Sequence, residues 1–498
     1  MNERRHILQS TYEKLLDAEE ARRAGDLEVA ERIARDLSDE HPAYWGAQHT
    51  VGLIHFDRAE FDQAYDRLSR AMRLSPENPL TLALFARTCL ELGACALARR
   101  TLDAAIQIAP ENPHVLFACG EFHRGEDKFD RAAEFYQRAI AVDREHAQAA
   151  TGLAVCLREL GMVADAASLL ESQLPLRALD PLHQLSELPA GTTRIDILAE
   201  LDKLASPLPH KTSEHRVTTS FIRASALHDR RKFHEAWSHL LEANRLAIAG
   251  REAELDERQG YERATLEATR LAAGRYRARQ PELGFPTSLF ILGPSRSGKS
   301  TVERLLATID GVHPCFECRI LEDALQSSFQ DAGLLPSVAL ELLPPELHED
   351  LRERYFRALL QKDQSSQVFT VTKPGLISEA VRIAAVIPNI RFIVMKRQLE
   401  DTLLRILMKS YKSGNVYAYD LEAARRHIIW YNEMIDVISA AFPHITLQVR
   451  YEDVIENPAN LLVAAAQLLG LHAPSTQMPA LGDDRDCAAP YRDLIASA

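Results

Sequence analysis

Two rhythms of apolar and polar positions divide the chain. In the first half small residues return every 34 positions: Ala30, Ala64, Ala98, Ala132 and Ala166 form one series, and Ala71, Ala105 and Ala139 another. Pro42, Pro76 and Pro110 keep the same spacing and phase. The stretches FDQAYDRLSRAMRLSPENP and FDRAAEFYQRAIAVDREHA repeat one frame. A fixed period of this length predicts stacked repeats. From Phe285 the rhythm changes. Short apolar runs, SLFILG (288–293), VFTVTKPG (368–375), IRFIVMKR (390–397) and ITLQVRYED (445–453), alternate with helical stretches such as STVERLLATID and DLEAARRHIIWYNEMIDVISAAF. Strands alternating with helices predict a parallel sheet with right-handed crossovers, whose ligands bind at the carboxyl ends of the strands.

The 34-residue pattern resembles the tetratricopeptide repeat (TPR) over roughly residues 11–175. The resemblance implies pairs of antiparallel helices, with small residues where helices approach closely and a proline ending the second helix of each pair. The fragment 221–247 looks like one more, degenerate unit, since Ala236 and Ala243 are spaced like Ala64 and Ala71. Between them the proline-rich QLPLRALDPLHQLSELPAGTTRID breaks the period. The expected fold is an N-terminal all-α TPR solenoid (1–175), a linker (176–284) with a degenerate repeat at about 215–250, and a P-loop-type α/β domain with a mostly parallel sheet (285–498). A solenoid offers a concave surface for peptides or protein partners. Equally, the repeats could scaffold the second domain or a homodimer.

Composition narrows the function classes. The 498 residues are 46% hydrophobic and 26% charged, with a net charge of −13. That balance argues against broad nucleic-acid binding and leaves room for a local basic site for a small anion. No run of 18 apolar residues occurs, so no membrane span is expected. The opening MNERRHILQSTYEKLL lacks the apolar core of a signal peptide. Seven scattered cysteines do not form a disulfide framework, and a reducing cytoplasm is the expected location.

The chemistry concentrates in FILGPSRSGKSTVERLL, where Gly293 to Ser300 fit the P-loop pattern G-x-x-x-x-G-K-[ST]. Backbone N–H groups of such a turn point at an anion, and the helix N-terminus adds partial positive charge. Gly298 permits close approach, Arg296 and Lys299 add full charges, and Ser300 and Thr301 add hydroxyls. An ATP-using enzyme of this class needs a second strand ending in an acidic residue to hold magnesium. Here VFTVTKPG and IRFIVMKR end in or near basic residues, and only LQVRYED ends in Glu452-Asp453. The balance favours a phosphate-rich donor that needs no metal, with ATP left open.

The domain resembles the TPR-containing sulfotransferases, which use 3'-phosphoadenosine 5'-phosphosulfate (PAPS). Their P-[RK]-S-G-[TS]-T loop is matched by SRSGKST, which implies donor contacts from Arg296, Ser297, Gly298, Lys299, Ser300 and Thr301, with Arg296 on the transferring sulfuryl group. Glu317, in DGVHPCFECRILEDAL, stands at the spacing of the family's catalytic base. TKPG resembles the family's K-x-P strand end and places Lys373 near the donor. IPNIRFIVMKRQLEDTLLRI resembles the segment whose arginine, here Arg397, binds the 3'-phosphate. KSGNVYAYDLE (412–422) and VRYEDVIENP (449–458) also follow the family wording, and the likeness covers about 285–472. The chain departs from the family in carrying Arg405 for a serine eight residues after Arg397, RQL for R-D-P, Lys299 for a threonine, and only a short C-terminal segment. Arg405 could still pair bidentately with a phosphate.

Sulfuryl transfer, like phosphoryl transfer, passes through a loose transition state that spreads charge over three oxygens. Arg296, Lys299 and the loop amides would stabilise that charge and the bridging oxygen, Lys373 would be a further catalytic residue near the donor, and Glu317 would take the acceptor's proton, with His313 as the alternative base. Cys315, Cys318 and His313 crowd one hexapeptide, too close together for a zinc site, so no metal is expected. Tyr411, Tyr417 and Tyr419 could line an acceptor cleft, stack on adenine, or belong to the core. Three functions follow: a PAPS-dependent sulfotransferase acting on a peptide, protein or glycan recruited by the repeats, an ATP-dependent kinase on the same fold, or a nucleotide-binding TPR adaptor without catalysis.

Overall fold

The computed structural model describes residues 2–23, 25–126, 128–176, 179–204, 213–335, 339–411, 415–473 and 481–497. Lys412, Ser413 and Gly414 of the KSGNVYAYDLE segment, and part of the proline-rich break, lie outside them. The chain divides into two compact units, Met1–Arg231 and Lys232–Ala498.

The first unit is built of helical hairpins. Five pairs run Asn2–Arg23 with Leu27–Glu40, Trp45–Asp57 with Phe61–Leu74, Pro79–Glu91 with Cys95–Ile108, Pro113–Gly125 with Phe129–Val142, and Ala147–Glu159 with Val163–Gln173. The alanine series explains the period. Ala30, Ala64, Ala98, Ala132 and Ala166 are each the fourth residue of a second helix, and all are fully buried. A larger side chain there would push neighbouring helices apart. The turns are written in PENP: Asn78 and Asn112 cap the next helix by accepting bonds from Thr81 N and from His114 N and Val115 N. Pro79 and Pro113 then open it at a position where the missing N–H costs nothing. Pro42, Pro76 and Pro110 each fall two residues beyond the end of a second helix. Leu179–Ser186, Ile197–Leu204 and Ser213–Asp229 complete this unit, while Phe233–Ile248 belongs to the second.

The second unit holds a five-stranded sheet. The strands are β1 (Thr287–Leu292), β2 (Val312–Pro314), β3 (Val368–Val371), β4 (Ile390–Lys396) and β5 (Thr446–Arg450), in the order β2-β3-β1-β4-β5, all parallel. β1 is central, and its apolar run SLFIL is buried on both faces, as a parallel strand between helices must be. Phe290, Leu292, Phe369 and Phe392 pack toward one side with Tyr355, Phe356, Met434 and Ile435. Leu289, Ile291, Ile393 and Met395 pack toward the other with Val302, Leu305 and Leu306. The chain turns to one side of β1 for β2 and β3 and to the other for β4 and β5. The carboxyl end of β1 is therefore the switch point where such sheets bind ligands, and residues 293–298 leave the sheet there.

Candidate active site

The loop between β1 and the helix Lys299–Leu306 needs two residues in the left-handed region. Arg296 has φ +65° and Gly298 φ +94°. At Gly298 the turn requires glycine twice over, because a Cβ would also stand 2.4 Å from Cδ2 of Tyr451. Ser297 is fully buried, and its Oγ has no partner among the described residues. Lys299 is buried and folds back, Nζ donating to the carbonyls of Gly293 and Pro294 at 2.9 Å each. Burial pushes this ammonium down to about 8, against the charge of Glu317, which favours protonation. Arg296 and Ser300 are exposed at the loop, and Thr301 is half-buried.

Three distant elements buttress the loop. Tyr431, in the helix Leu421–Ala441, accepts from Gly293 N at 3.2 Å and donates to the Pro374 carbonyl at 2.9 Å. Tyr411 shares a hydrogen bond with Ser295 Oγ at 2.8 Å. Arg397, just past β4, donates from Nη1 to the Arg296 carbonyl at 3.0 Å and lies 4.3 Å above the Tyr451 ring. Of the three tyrosines read from the sequence, only Tyr411 touches the loop by hydrogen bond. Tyr417 is core, stacked on His427 at 3.7 Å, and Tyr419 is buried with its hydroxyl on the backbone of Tyr411.

Glu317 sits on a turn held from both sides. Phe316 N donates to Glu303 Oε1 at 2.9 Å, and Thr372 N donates to the Phe316 carbonyl at 2.9 Å. Glu303, fully buried on the loop helix, also accepts from Thr370 Oγ1; burial raises its carboxyl above the usual range. The Glu317 side chain is exposed, yet its charge reaches Lys299, Tyr411 and Tyr431, the groups around the loop. His313, in β2, lies 3.8 Å from Asp363 instead. Cys315 and Cys318 are free, buried thiols of the apolar core, and the hydrogen bond with Cys318, then burial, pushes Cys315 far up. No cluster of three or more His, Cys, Asp or Glu able to hold a metal occurs among the described residues.

Lys373 pairs with Glu322 of the helix Ile320–Asp331. Arg397 and Arg405 converge, as a shared anion would require, but on a carboxylate of this chain. Arg405 Nε donates to Asp484 Oδ2 at 2.7 Å and its Nη2 donates to Oδ1. Arg397 Nη2 reaches the Asp484 carbonyl at 2.5 Å and Oδ2 at 3.1 Å. Burial works to raise the Asp484 carboxyl, but Arg405 and then Arg397 hold it below its ordinary value. Glu452, the acidic strand end that kept ATP open, accepts from Gln398 N at 2.8 Å. Glu303, Tyr431, Tyr451 and Asp484 were not singled out by the sequence. Tyr451 and Glu303 lay inside quoted motifs, and the other two carry no local signal.

Among the described residues no helix is long and apolar enough to cross a membrane. No curated protein matches the chain. Among solved structures it is similar to MamA (41-end) from Desulfovibrio magneticus RS-1, 16% identical over 33% of this chain and 94% of that one, with a TM-score of 0.27. It is also similar to a tetratricopeptide repeat protein from Parabacteroides merdae ATCC 43184, 15% identical over 49% and 96%, TM-score 0.34. A third is the human IFIT1 dimer with PPP-AAAA, 16% identical over 50% and 61%, TM-score 0.39. None of these bears on function at such values. Residues 55–118 and 123–186 match the tetratricopeptide repeat model, and residues 286–474 match the model of the sulfotransferase family. The chain thus joins tetratricopeptide repeats to a sulfotransferase-family domain.

Proposed function

We propose that the chain transfers a sulfuryl group from 3'-phosphoadenosine 5'-phosphosulfate to a hydroxyl of a peptide, protein or glycan recruited by the repeats. The observation that carries this reading is the position of Arg397. One guanidinium nitrogen is on the loop carbonyl of Arg296, another is at the carboxylate shared with Arg405, and Nε is buried without a partner among the described residues. A loop and an arginine pair, each of which would hold an anion on this reading, are thereby joined through one side chain. That supports a donor with two separate anionic ends, and both sites fit it chemically. Ser297 Oγ is a second buried group without a partner beside the loop.

The loop residues 296–301 would hold the 5' end and Arg397 with Arg405 the 3'-phosphate. When bound, the donor supplies the sulfuryl group. Arg296, the loop amides and Lys299 would orient it and spread the charge that develops on its oxygens. Lys373, held by Glu322, would set the strand end beside Tyr431. Glu317 would take the acceptor's hydroxyl proton, its turn fixed by Glu303 and Thr372. Seven free cysteines accord with a reducing cytoplasm.

Calorimetry with adenosine 3',5'-bisphosphate and with ATP, each with and without magnesium, tests the donor. Bisphosphate binding without metal is expected. Metal-dependent ATP binding would establish the kinase reading instead, and silence toward both would leave an adaptor. Glu317→Gln should lower turnover by about 10²–10⁴-fold and leave donor binding in place.

A further inference from the structure

Residues 481–497 reach the arginine pair, and several contacts hold them there. Tyr451 donates to the Gly482 carbonyl at 3.5 Å. Asp401, 1% exposed, accepts from the backbone N–H groups of Asp486 and Ala488 at 2.8 and 2.9 Å. Between these anchors Asp484 places its carboxylate between Arg397 and Arg405. The Arg397 side chain is 3% exposed, while that of Asp484 keeps 28%. The cation is thus built in, and its anion is reachable from solvent. Among the described residues, two guanidiniums facing one carboxylate also leave charge unmatched, and the buried Arg397 Nε adds a donor without a partner. A phosphate monoester, with two charges and three terminal oxygens, matches two arginines better than one carboxylate does.

We infer that Asp484 is a specificity-determining residue: it occupies the arginine pair as a chain-borne stand-in for a phosphate, and a nucleotide carrying that phosphate must displace it. The inference rests on the donor reading above. Asp484 therefore penalises nucleotides that use the arginine pair and leaves untouched those that engage only the loop. A carboxylate cannot share its bidentate position on Arg405 with a phosphate, so the two exclude each other.

Adenosine 3',5'-bisphosphate and adenosine 5'-monophosphate differ only in the phosphate at issue. Both are titrated into the full chain and into Asp484→Asn and Asp484→Ala. The monophosphate reports the folded, competent fraction in each protein. Asp484→Asn keeps the side chain's shape and removes its charge. The ratio of bisphosphate to monophosphate affinity should rise about tenfold or more in both variants, equivalent to about 1.4 kcal/mol. An unchanged ratio, with bisphosphate binding intact, would overturn the inference and leave the donor reading standing. A fall in the ratio would overturn it too, making Asp484 a strut that positions the arginines. Silence of all three proteins toward both adenylates would overturn the donor reading and this inference with it.

Discussion

Anion binding at the loop should draw a proton from solvent. Lys299 is buried, and among the described residues its ammonium is bonded only to two loop carbonyls. Desolvation lowers its pKa to about 8 from an ordinary 10.5, although Glu317 and Glu303 oppose the shift. A lysine of pKa about 8 is about 10% deprotonated at pH 7, about 50% at pH 8 and about 90% at pH 9. A sulfate or phosphate beside it favours the charged form and restores the pKa toward or above its ordinary value. Binding should therefore take up about 0.1, 0.5 and 0.9 protons at those three pH values. Few other groups confuse the reading. Phosphate second ionisations are complete by pH 8, so the counts at pH 8 and 9 carry the test, and burial holds Tyr411 and Tyr431 above the usual phenol range. Burial also keeps His427 neutral there, because it lowers that imidazole's pKa. Titrating adenosine 3',5'-bisphosphate calorimetrically in buffers of differing ionisation enthalpy gives the proton count. Lys299→Arg, charged throughout, should bind without uptake. A flat count from pH 7 to 9 in the unmodified chain would refute the argument, since it would mean that Lys299 is charged before the anion arrives. The unfolded lysine keeps its ordinary value, so unfolded chains bind more protons between pH 8 and 10.5. This group's burden on folding is thus full below about pH 8 and lifts as pH rises.

Other substitutions test the framework around the loop. Gly298→Ala meets both a left-handed backbone and the Tyr451 ring, so it should cost at least about 2 kcal/mol in denaturant unfolding. It should also abolish adenylate binding. Glu303→Ala strands Phe316 N and should cost about 1–3 kcal/mol. Glu303→Gln should cost less, because its side-chain carbonyl keeps an acceptor for Phe316 N and Thr370 Oγ1. With Glu303→Ala, turnover should fall more than donor affinity, as the turn bearing Glu317 loosens. In the repeats, Ala98→Leu should destabilise by about 1–3 kcal/mol through overpacking. Ala96→Leu, on the exposed face of the same helix, should change unfolding little.

What the sequence made legible follows from locality. The alanine and proline series are visible because one packing problem is solved five times at a fixed interval. β3, β4 and β5 lie within the apolar runs that announced them, and β1 begins one residue before its run. β2 escaped notice because three residues ending in a proline, Val312–Pro314, carry no strand pattern; the edge of the sheet recruits them through β3. The loop was readable since its eight residues are contiguous. Its supports were not. Tyr431 lies 138 residues from Gly293, and Asp484 lies 87 from Arg397. Only tertiary folding gives those residues a role. Glu303 went unnoticed for another reason. A glutamate in a helix reads as solvent-facing, and nothing nearby in the chain says that β3 will offer Thr370 across from it.

The lysine that gives the loop its ATP-like spelling does not decide which nucleotide it holds. In the described structure its ammonium closes the loop on itself by donating to the Gly293 and Pro294 carbonyls. That service is equally useful to any phosphate or sulfate. Discrimination has to come from groups that touch a part of the ligand the competitors lack. Arg397 and Arg405 are the two cations so placed, one anchored to the loop and the other on the helix Leu399–Leu407. Their separation from the loop is spanned by a single side chain, so a ligand that engages both must have its charges correspondingly apart. A triphosphate, whose charges are consecutive, can fill the loop but gains nothing from displacing Asp484. An adenylate with a second phosphate on the ribose gains two charge-assisted contacts, each worth about 1.5–3 kcal/mol, against the loss of those Asp484 makes. On the proposed donor reading, the difference between those sums, set by the Asp484 carboxylate, would fix how strongly the domain prefers one nucleotide over the other.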